Sequence, residues 1–531
     1  MYGHLNAPIG SFRKPIGQTL NISSRSQKYY ALLLAFIAGF LSLSIEVLGT
    51  QIAFSFYASS SEALALSLCA FLTGLAAASW LSHRYNEMFL RSFEKLMAWT
   101  LFALSIFIVI VLAHFDSLQL NLVRFSSSIG GSHSLFDIGF GVLCFLYLFI
   151  PAVLLGILFP LANDRLSKVG ISTGKVNFID LIGAVAGTLL TGFVFIPYLG
   201  VSRSFALVGF VSLFIGFLIS TQISRRYQVF SLFLFLFLAP FVKNIYEIKY
   251  VSVTNPTAEI LYQEDSKFGK VTIVKNNVGM NENKELFINY RIMCRTSLHV
   301  AEDNLASLSF RKIEQPQLNV LNIGLGCGFT ASTVLQSYKD LKLDIAEINE
   351  KVAKGTATYF RKENNAVLED PRVRLIIEDG YNVLKTSTKI YNRIFIDIEE
   401  PTIIQSSALF TEDGMKLAKQ RLAKDGIFGL WSFDQKETAK IILNTMRSQW
   451  KYAAVYPIAE SLVFFASDRE LPETTEITDV NRRKEIEDVP LDLVATVTNN
   501  PYPRYFDVNK VMHIPPEHQE PNEMKPTQGA N

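Results

Sequence analysis

The first half of the chain consists of long apolar runs separated by short polar loops, and this pattern limits the folds open to it. Each run is near the roughly 20 apolar residues that a helix needs to cross a hydrocarbon core. Hydrophobic residues make up 49% of the 531 residues, charged residues 18%, and the mean hydropathy is +0.24. These values exclude a disordered chain and an ordinary soluble enzyme. About seven spans are predicted: Tyr30 to Phe54, Ala63 to Leu81, Leu96 to Ala113, Phe136 to Phe159, Val176 to Tyr198, Phe205 to Thr221 and Val229 to Val242.

The chain changes character near Lys243, where charged residues become frequent and the apolar runs shorten to strand length. The 50 Lys and Arg residues nearly balance the 48 Asp and Glu residues, so no basic field attracts nucleic acid. The sequence therefore predicts a membrane-embedded half followed by a half in water. The predicted divisions are a polar segment 1–28, a transmembrane domain 29–243, a small β-rich module 255–300, an α/β domain 301–467 and a polar, partly disordered tail 468–531.

Apolar strands alternate with amphipathic helices in the second half. This order is typical of βαβ units in a parallel sheet, whose ligands bind outside the carboxyl ends of the strands. Short β-like runs at Val271 to Val274 and Leu286 to Ile292 predict the smaller module that precedes the sheet. The predicted sheet strands are Leu318 to Ile323, Leu341 to Ile348, Val373 to Ile377, Arg393 to Ile398 and Ile427 to Phe433.

A glycine-rich turn follows the first of these strands and carries Gly324, Gly326, Cys327 and Gly328. Glycines there permit a tight backbone and let a ligand approach the next helix N-terminus. Glu347 lies about twenty residues further on, the separation expected of an acid that binds ribose hydroxyls. Together these features predict a nucleotide site, although a glycine turn alone is weak evidence.

Two more acids follow strands. Asp379, before Gly380, is either an acceptor for an adenine amino group or an ordinary Asp-Gly turn residue. Asp397 is the best candidate for chemistry, because a carboxylate beside a bound nucleotide can orient and deprotonate an incoming amine. The alternative for Asp397 is a helix cap.

The four cysteines, Cys69, Cys144, Cys294 and Cys327, are widely scattered. This spacing predicts neither a disulfide framework nor a zinc site, and no metal is expected.

Two carboxylates lie inside apolar runs, Glu46 in the first and Asp180 in the fifth. An intramembrane carboxylate suggests a functional contact, here with a cation or polyamine. The alternative is that each lies near a helix end or bonds a neighbouring helix.

Six motifs follow one another in the second half, in chain order Ile323 to Gly328, Ala346 to Ile348, Asp370 to Val373 with Glu378 to Gly380, Tyr391 to Asp397, Glu400 with Pro401, and Leu409 to Thr411. With these motifs the chain resembles the spermidine synthase (polyamine aminopropyltransferase) family from about Asp265 to Ser467. The first half resembles the membrane-fused branch of that family through Gly39 to Glu46 and Asn177 to Gly200.

The resemblance implies a multi-pass α-helical membrane domain followed by a Rossmann-like, class I methyltransferase-type domain. Glu347 would bind the ribose, Asp379 the adenine, and Asp397 would be catalytic, with Glu400 and Asp303 on the amine substrate. The co-substrate would be decarboxylated S-adenosylmethionine and the acceptor an amine such as putrescine. The implied partners are this small amine and the lipid bilayer, with a homo-oligomer left open.

Departures from the family pattern leave alternatives open. Cys327 replaces an Asp of the family's glycine motif, Gly269 and Met293 replace glutamines, and a Tyr-His/Gln-Glu triplet is not recognisable. Because an Asp there would repel the carboxylate of intact S-adenosylmethionine, its loss favours intact donor, including methyl transfer. A polyamine transporter or sensor with a non-catalytic nucleotide-binding half is the third hypothesis.

The charges of the loops and the implied chemistry disagree about the side of the membrane on which the second half lies. Basic residues precede the first span and fill alternate loops, which places those loops in the cytoplasm. Seven spans then put the second half outside, yet the implied donor is intracellular. Either one span is miscounted or the apolar segment near Phe230 is re-entrant or interfacial. We favour a miscount and predict a cytoplasmic catalytic half at the inner membrane.

Overall fold

The computed structural model contains apolar helices followed by a small sheet and a larger sheet. This order confirms the predicted fold class. The structure describes residues 24–57, 61–85, 93–128, 133–167, 170–220, 225–226, 229–230, 232–234, 236–237, 259–278, 281–288, 291–310, 317–398, 404–433, 435–459, 461–471, 479–497, 499 and 502.

Within these residues, six helices are long and apolar enough to cross a membrane. Half of the seventh predicted span, Val229 to Val242, lies outside the described residues. The helices of this half are α1 Ser24–Tyr57, α2 Ser61–Arg84, α3 Phe93–Ser128, α4 His133–Gly156, α5 Leu158–Ser167, α6 Thr173–Leu190, α7 Ile196–Leu199 and α8 Val201–Ser220, with a π-helical turn Thr191–Phe195 between α6 and α7.

Helices α1 and α6 run parallel and pack closely because glycines lie at their contact. A Cβ on Gly183 would stand 2.0 Å from the Phe36 carbonyl oxygen, and one on Gly187 would stand 2.3 Å from that of Phe40. Gly39 of α1 likewise faces the backbone of Asp180. Small residues let helix backbones approach in this way in membranes.

Four antiparallel strands form the small sheet, in the order β1-β2-β3-β4. Val271, Ile273 and Leu286 on one face of this sheet are fully buried. These side chains share a core with Phe329 and Phe360, which come from the chain segments of the larger sheet's domain. The small sheet is therefore packed against one end of that domain. Its strands are β1 Glu259–Ser266, β2 Gly269–Val278, β3 Asn281–Ile288 and β4 Arg291–Arg295.

Seven strands form the larger sheet, in the order β10-β11-β9-β8-β5-β6-β7. The five predicted strands are parallel, while the last two along the chain, which were not predicted, are antiparallel. The elements from the small sheet onward are α9 Val300–Ser309, β5 Leu318–Ile323, α10 Phe329–Ser337, β6 Leu341–Glu347, α11 Glu350–Tyr359, β7 Val373–Ile377, α12 Gly380–Thr386, β8 Tyr391–Ile396, α13 Ile404–Ser407, α14 Glu412–Arg421, β9 Leu422–Phe433, α15 Lys436–Gln449, β10 Tyr452–Ile458, β11 Ser461–Ser467 and α16 Val480–Glu487.

The strand order reverses between β5 and β8. From β5 the chain adds β6 and β7 on one side, then returns to place β8 and β9 on the other. The strand ends are in register, since Ile323 pairs with both Ala346 and Ile396. Such a reversal opens a crevice at the carboxyl edge of a sheet.

Part of the segment predicted as a polar tail packs on the larger domain. Ile486, Ala495 and Tyr502 are fully buried, and the Tyr502 hydroxyl donates to the Phe410 carbonyl oxygen at 3.0 Å. These few apolar side chains are spaced too widely in a polar stretch to produce a periodic pattern, which explains why the sequence did not reveal them.

Candidate active site

A cavity of about 250 Å³ lies at the carboxyl edge of the larger sheet. Its wall includes the three predicted acids Glu347, Asp379 and Asp397. Each acid follows or ends a different strand, and the parallel register brings these ends together. The predicted residues Gly324, Gly326, Cys327 and Gly380 line the same cavity.

The glycine turn adopts backbone conformations that side chains disfavour. Gly324, Gly326 and Gly328 have φ of +99°, +50° and +84°. A Cβ on Gly324 would stand 2.2 Å from the Asp397 carbonyl oxygen, so the two strand ends touch through backbone. Gly328 is the N-cap of α10. The turn thus exposes backbone to the cavity, as a nucleotide requires.

Glu347 is buried, and backbone N–H groups hold its carboxylate. Leu325 donates to Oε2 at 3.0 Å and Asn349 to Oε1 at 2.8 Å. Burial raises the pKa of Glu347, these N–H groups oppose the rise, and the nearby charge of Asp397 adds to it. Each carboxylate oxygen has a further lone pair, so Glu347 can also accept from a ligand hydroxyl.

Asp397 lines the cavity and is half-buried. Trp431 donates its indole N–H to Oδ1 at 2.8 Å, and Asn322 approaches Oδ2 at 3.5 Å. Burial raises the pKa of Asp397, and these donors oppose the rise. A carboxyl with a raised pKa is suited to accept a proton from an amine.

Asp379 caps helix α12 by accepting from the Asn382 N–H at 3.0 Å. Its turn and binding interpretations are therefore compatible, because the capping residue also lines the cavity.

The other two predicted residues are placed differently. The Asp303 carboxylate bonds His299 at 2.8 Å and accepts from the Thr333 hydroxyl at 2.7 Å, while its neighbour Glu302 lines the cavity and is buried. Glu400 lies outside the described residues.

Cys327 forms a disulfide with Cys294, the last residue but one of β4. The expectation that the cysteines form no disulfide was therefore wrong. The two residues are 33 positions apart, and only the docking of the small sheet on the glycine turn brings them together. Both line the cavity.

Sequence reasoning missed three further residues on the cavity wall. Trp431 looked like an apolar strand residue of β9, and Lys267 lies in the turn between β1 and β2. Gln51 belongs to α1, so the membrane half contributes to the cavity. A polar residue at the end of an apolar span was the only available signal for Gln51.

Comparisons with known proteins agree with this geometry. Residues 301–465 match the spermine/spermidine synthase domain family. Polyamine aminopropyltransferase 2 of Aquifex aeolicus is 22% identical over 321 residues, covering 58% of this chain and 64% of that protein. The polyamine aminopropyltransferase of Oceanobacillus iheyensis is 22% identical over 382 residues, covering 68% of this chain and 69% of that protein.

The crystal structure of spermidine synthase from Thermotoga maritima aligns with a TM-score of 0.36 and 19% identity, covering 44% of this chain and 84% of that one. The chain spans 52% to 64% of the length of the first three relatives it matches. Residues 301–465 thus match the spermine/spermidine synthase domain family, and among the described residues before them six helices have membrane-spanning length.

Proposed function

We propose that the protein is a membrane-bound transferase that moves an aminopropyl or related group from an S-adenosylmethionine-type sulfonium donor to an amine such as putrescine. The observation that carries this proposal is that Glu347, Asp379 and Asp397 share one cavity with the glycine turn. The family of the domain and the names of the relatives point the same way. The six apolar helices support attachment to a membrane.

The cavity residues fit an adenosyl sulfonium co-substrate. Glu347 would accept from the ribose hydroxyls and Asp379 from the adenine amino group, with the glycine turn beneath the nucleoside. The apolar side chains of Leu325, Phe268 and Ile348 also line the cavity and suit the faces of the adenine ring.

In the reaction, the amine nitrogen attacks the carbon next to the sulfonium sulfur. The carbon–sulfur bond breaks, its electron pair remains on sulfur, and the product is a neutral thioether. Asp397 accepts the proton that the amine loses. Glu302 on the cavity wall is better placed than Asp303 to attract a second amino group of the acceptor.

A second candidate uses intact S-adenosylmethionine. The disulfide leaves position 327 without charge, and Lys267 places a cation on the cavity wall. Both features favour a donor that carries a carboxylate. Transfer of its aminocarboxypropyl or methyl group is the corresponding reaction.

Product analysis separates these candidates. The full-length protein in bilayer discs is incubated with putrescine and either donor, and nucleosides are separated by chromatography. We expect methylthioadenosine from the decarboxylated donor. Methylthioadenosine from the intact donor would instead indicate aminocarboxypropyl transfer, and adenosylhomocysteine would indicate methyl transfer. If neither donor gave a nucleoside product beyond an Asp397→Asn control, the proposal would be wrong.

A further inference from the structure

The contacts between the two halves lie at one end of the helical bundle. Gln51, at the end of the apolar part of α1, lines the cavity of the synthase domain. At the start of α8, a Cβ on Gly200 would stand 2.0 Å from the Asp265 side chain, and Arg203 interacts electrostatically with the same carboxylate. Helix α7 also contacts β1. We call this end of the bundle the Gly200 end.

Gln51 and Gly200 share one end because α1 and α6 are parallel. Phe36 of α1 meets Gly183 of α6, and one turn later Phe40 meets Gly187. Following both helices forward leads to Gln51 in one and, through α7, to Gly200 in the other.

Basic residues are concentrated at the opposite end. Of the Lys and Arg residues that flank the predicted spans in the sequence, twelve belong to flanks on that side and four to flanks on the Gly200 side, and basic flanks stay in the cytoplasm. The twelve are Arg13, Lys14, Arg25, Lys28, Arg84, Arg91, Lys95, Arg165, Lys168, Lys175, Arg225 and Arg226, and the four are Arg124, Arg203, Lys243 and Lys249.

Helix α8 ends at the basic end, whereas β1 contacts α7 at the Gly200 end. The residues described between 225 and 237 are helical, and Phe230 among them packs on Trp99 of α3 with ring centroids 5.2 Å apart. Leu234 packs against the core of the bundle. These contacts suit a seventh crossing over the predicted span 229–242.

The Cys294–Cys327 disulfide is the second, independent observation. Disulfides persist in oxidising compartments outside the cytoplasm and are rare within it. A disulfide in the wall of a working cavity is therefore expected on the extracytoplasmic side.

We infer that the synthase domain lies on the extracytoplasmic face of the membrane, where the Gly200 end of the bundle closes one side of its cavity. This inference rests on the proposed membrane insertion and does not depend on the proposed reaction. It differs from the cytoplasmic placement that the sequence analysis predicts for this half. A sulfonium donor has a fixed charge, so a transport step must deliver it to this face if it is made in the cytoplasm.

Accessibility of two added cysteines tests the inference in the full-length protein. Ala357→Cys is exposed on α11 of the synthase domain, and Gly174→Cys is exposed at the basic end, where an added Cβ meets open space. Each is introduced with Cys69→Ala, because Cys69 is an exposed thiol. Sealed right-side-out and inside-out vesicles are treated with a membrane-impermeant maleimide.

We expect Ala357→Cys to react in right-side-out vesicles and Gly174→Cys in inside-out vesicles. Reaction of Ala357→Cys in inside-out vesicles alone, or of both positions from one side, would overturn the inference. As a second measurement, Cys294 and Cys327 should resist alkylation in unfolded protein until a reductant is added, and free thiols there would count against it. Neither measurement requires turnover, so failure of the proposed reaction is detected separately.

Discussion

At the scale of single residues, the site depends on two carboxylates with different surroundings, the buried Glu347 and the half-buried Asp397. Glu347 is held by backbone N–H groups, which fix its position, whereas Asp397 is held by the indole of Trp431 and faces the space where an acceptor would lie. We therefore assign binding to Glu347 and proton transfer to Asp397.

Replacing the proposed base tests this division. Asp397→Asn keeps the shape of the side chain but cannot take a proton, so we expect turnover to fall by about 10²-fold or more. Donor affinity, measured by calorimetry on the full-length protein, should change little. Glu347→Gln is the matched variant and should mainly weaken donor binding. If the Asp397→Asn protein kept its turnover, the assignment of Asp397 as the base would be wrong.

Trp431 gives a prediction about pH. Because burial raises the pKa of Asp397, the active carboxylate is lost as pH falls through that raised pKa, and kcat/KM falls on the acidic side. The indole N–H stabilises the carboxylate, so Trp431→Phe should move this acidic limb to higher pH. The rate at optimal pH should drop by up to about tenfold. Trp450→Phe, in the core against Phe428, is the control and should leave the limb in place.

At the scale of elements, the parallel strands and the turn after β5 position the site. The strands could be predicted because both faces of a parallel sheet are covered, so they appear as continuous apolar runs. The disulfide could not be predicted, since it joins β4 to the glycine turn across 33 residues and depends on how two sheets dock. The contact of Trp431 with Asp397 could not be predicted for a related reason. In the sequence Trp431 is one apolar residue of a strand, and only the fold places its indole N–H beside Asp397.

The backbone conformation of the glycine turn after β5 can be tested by adding a single methyl group at Gly324. Gly324→Ala combines a φ of +99° with a Cβ 2.2 Å from the Asp397 carbonyl oxygen, so we expect the free energy of unfolding to fall by about 1–3 kcal/mol. Donor affinity should fall as well, because the turn must shift. Gly174→Ala, in open space on a helix, is the control. Thermal unfolding measures the change in stability, and calorimetry measures the change in donor affinity. A Gly324→Ala protein with unchanged stability and affinity would contradict the backbone conformation described for Gly324.

At the scale of the whole molecule, the two halves meet at the cavity. The division near Lys243 was visible in hydropathy. No local pattern could show that Gln51, 273 positions before Gly324, lines the same cavity as the glycine turn. Gln51 does so, and it comes from a helix of membrane-spanning length. The helical half is thus part of the site.

This contribution predicts an effect of a membrane-half substitution on substrate affinity. Gln51→Ala removes a polar group from the cavity wall, so we expect KM for one substrate to rise several-fold while kcat changes less. Thr50→Val is the control, because the Thr50 hydroxyl bonds the Glu46 carbonyl oxygen of its own helix. Steady-state kinetics in bilayer discs measure both variants, and identical shifts in the two would contradict a specific role for Gln51.

The glycine contact between α1 and α6 has a mechanical consequence. We expect two helices packed this closely to tilt together as one rigid unit. This unit contacts the synthase domain at two places, since Gln51 lines the cavity and Gly200 lies against Asp265. A thinner or thicker lipid layer changes the tilt of such a unit. Catalytic rate would then vary with acyl-chain length, making the enzyme responsive to the composition of the lipids around it.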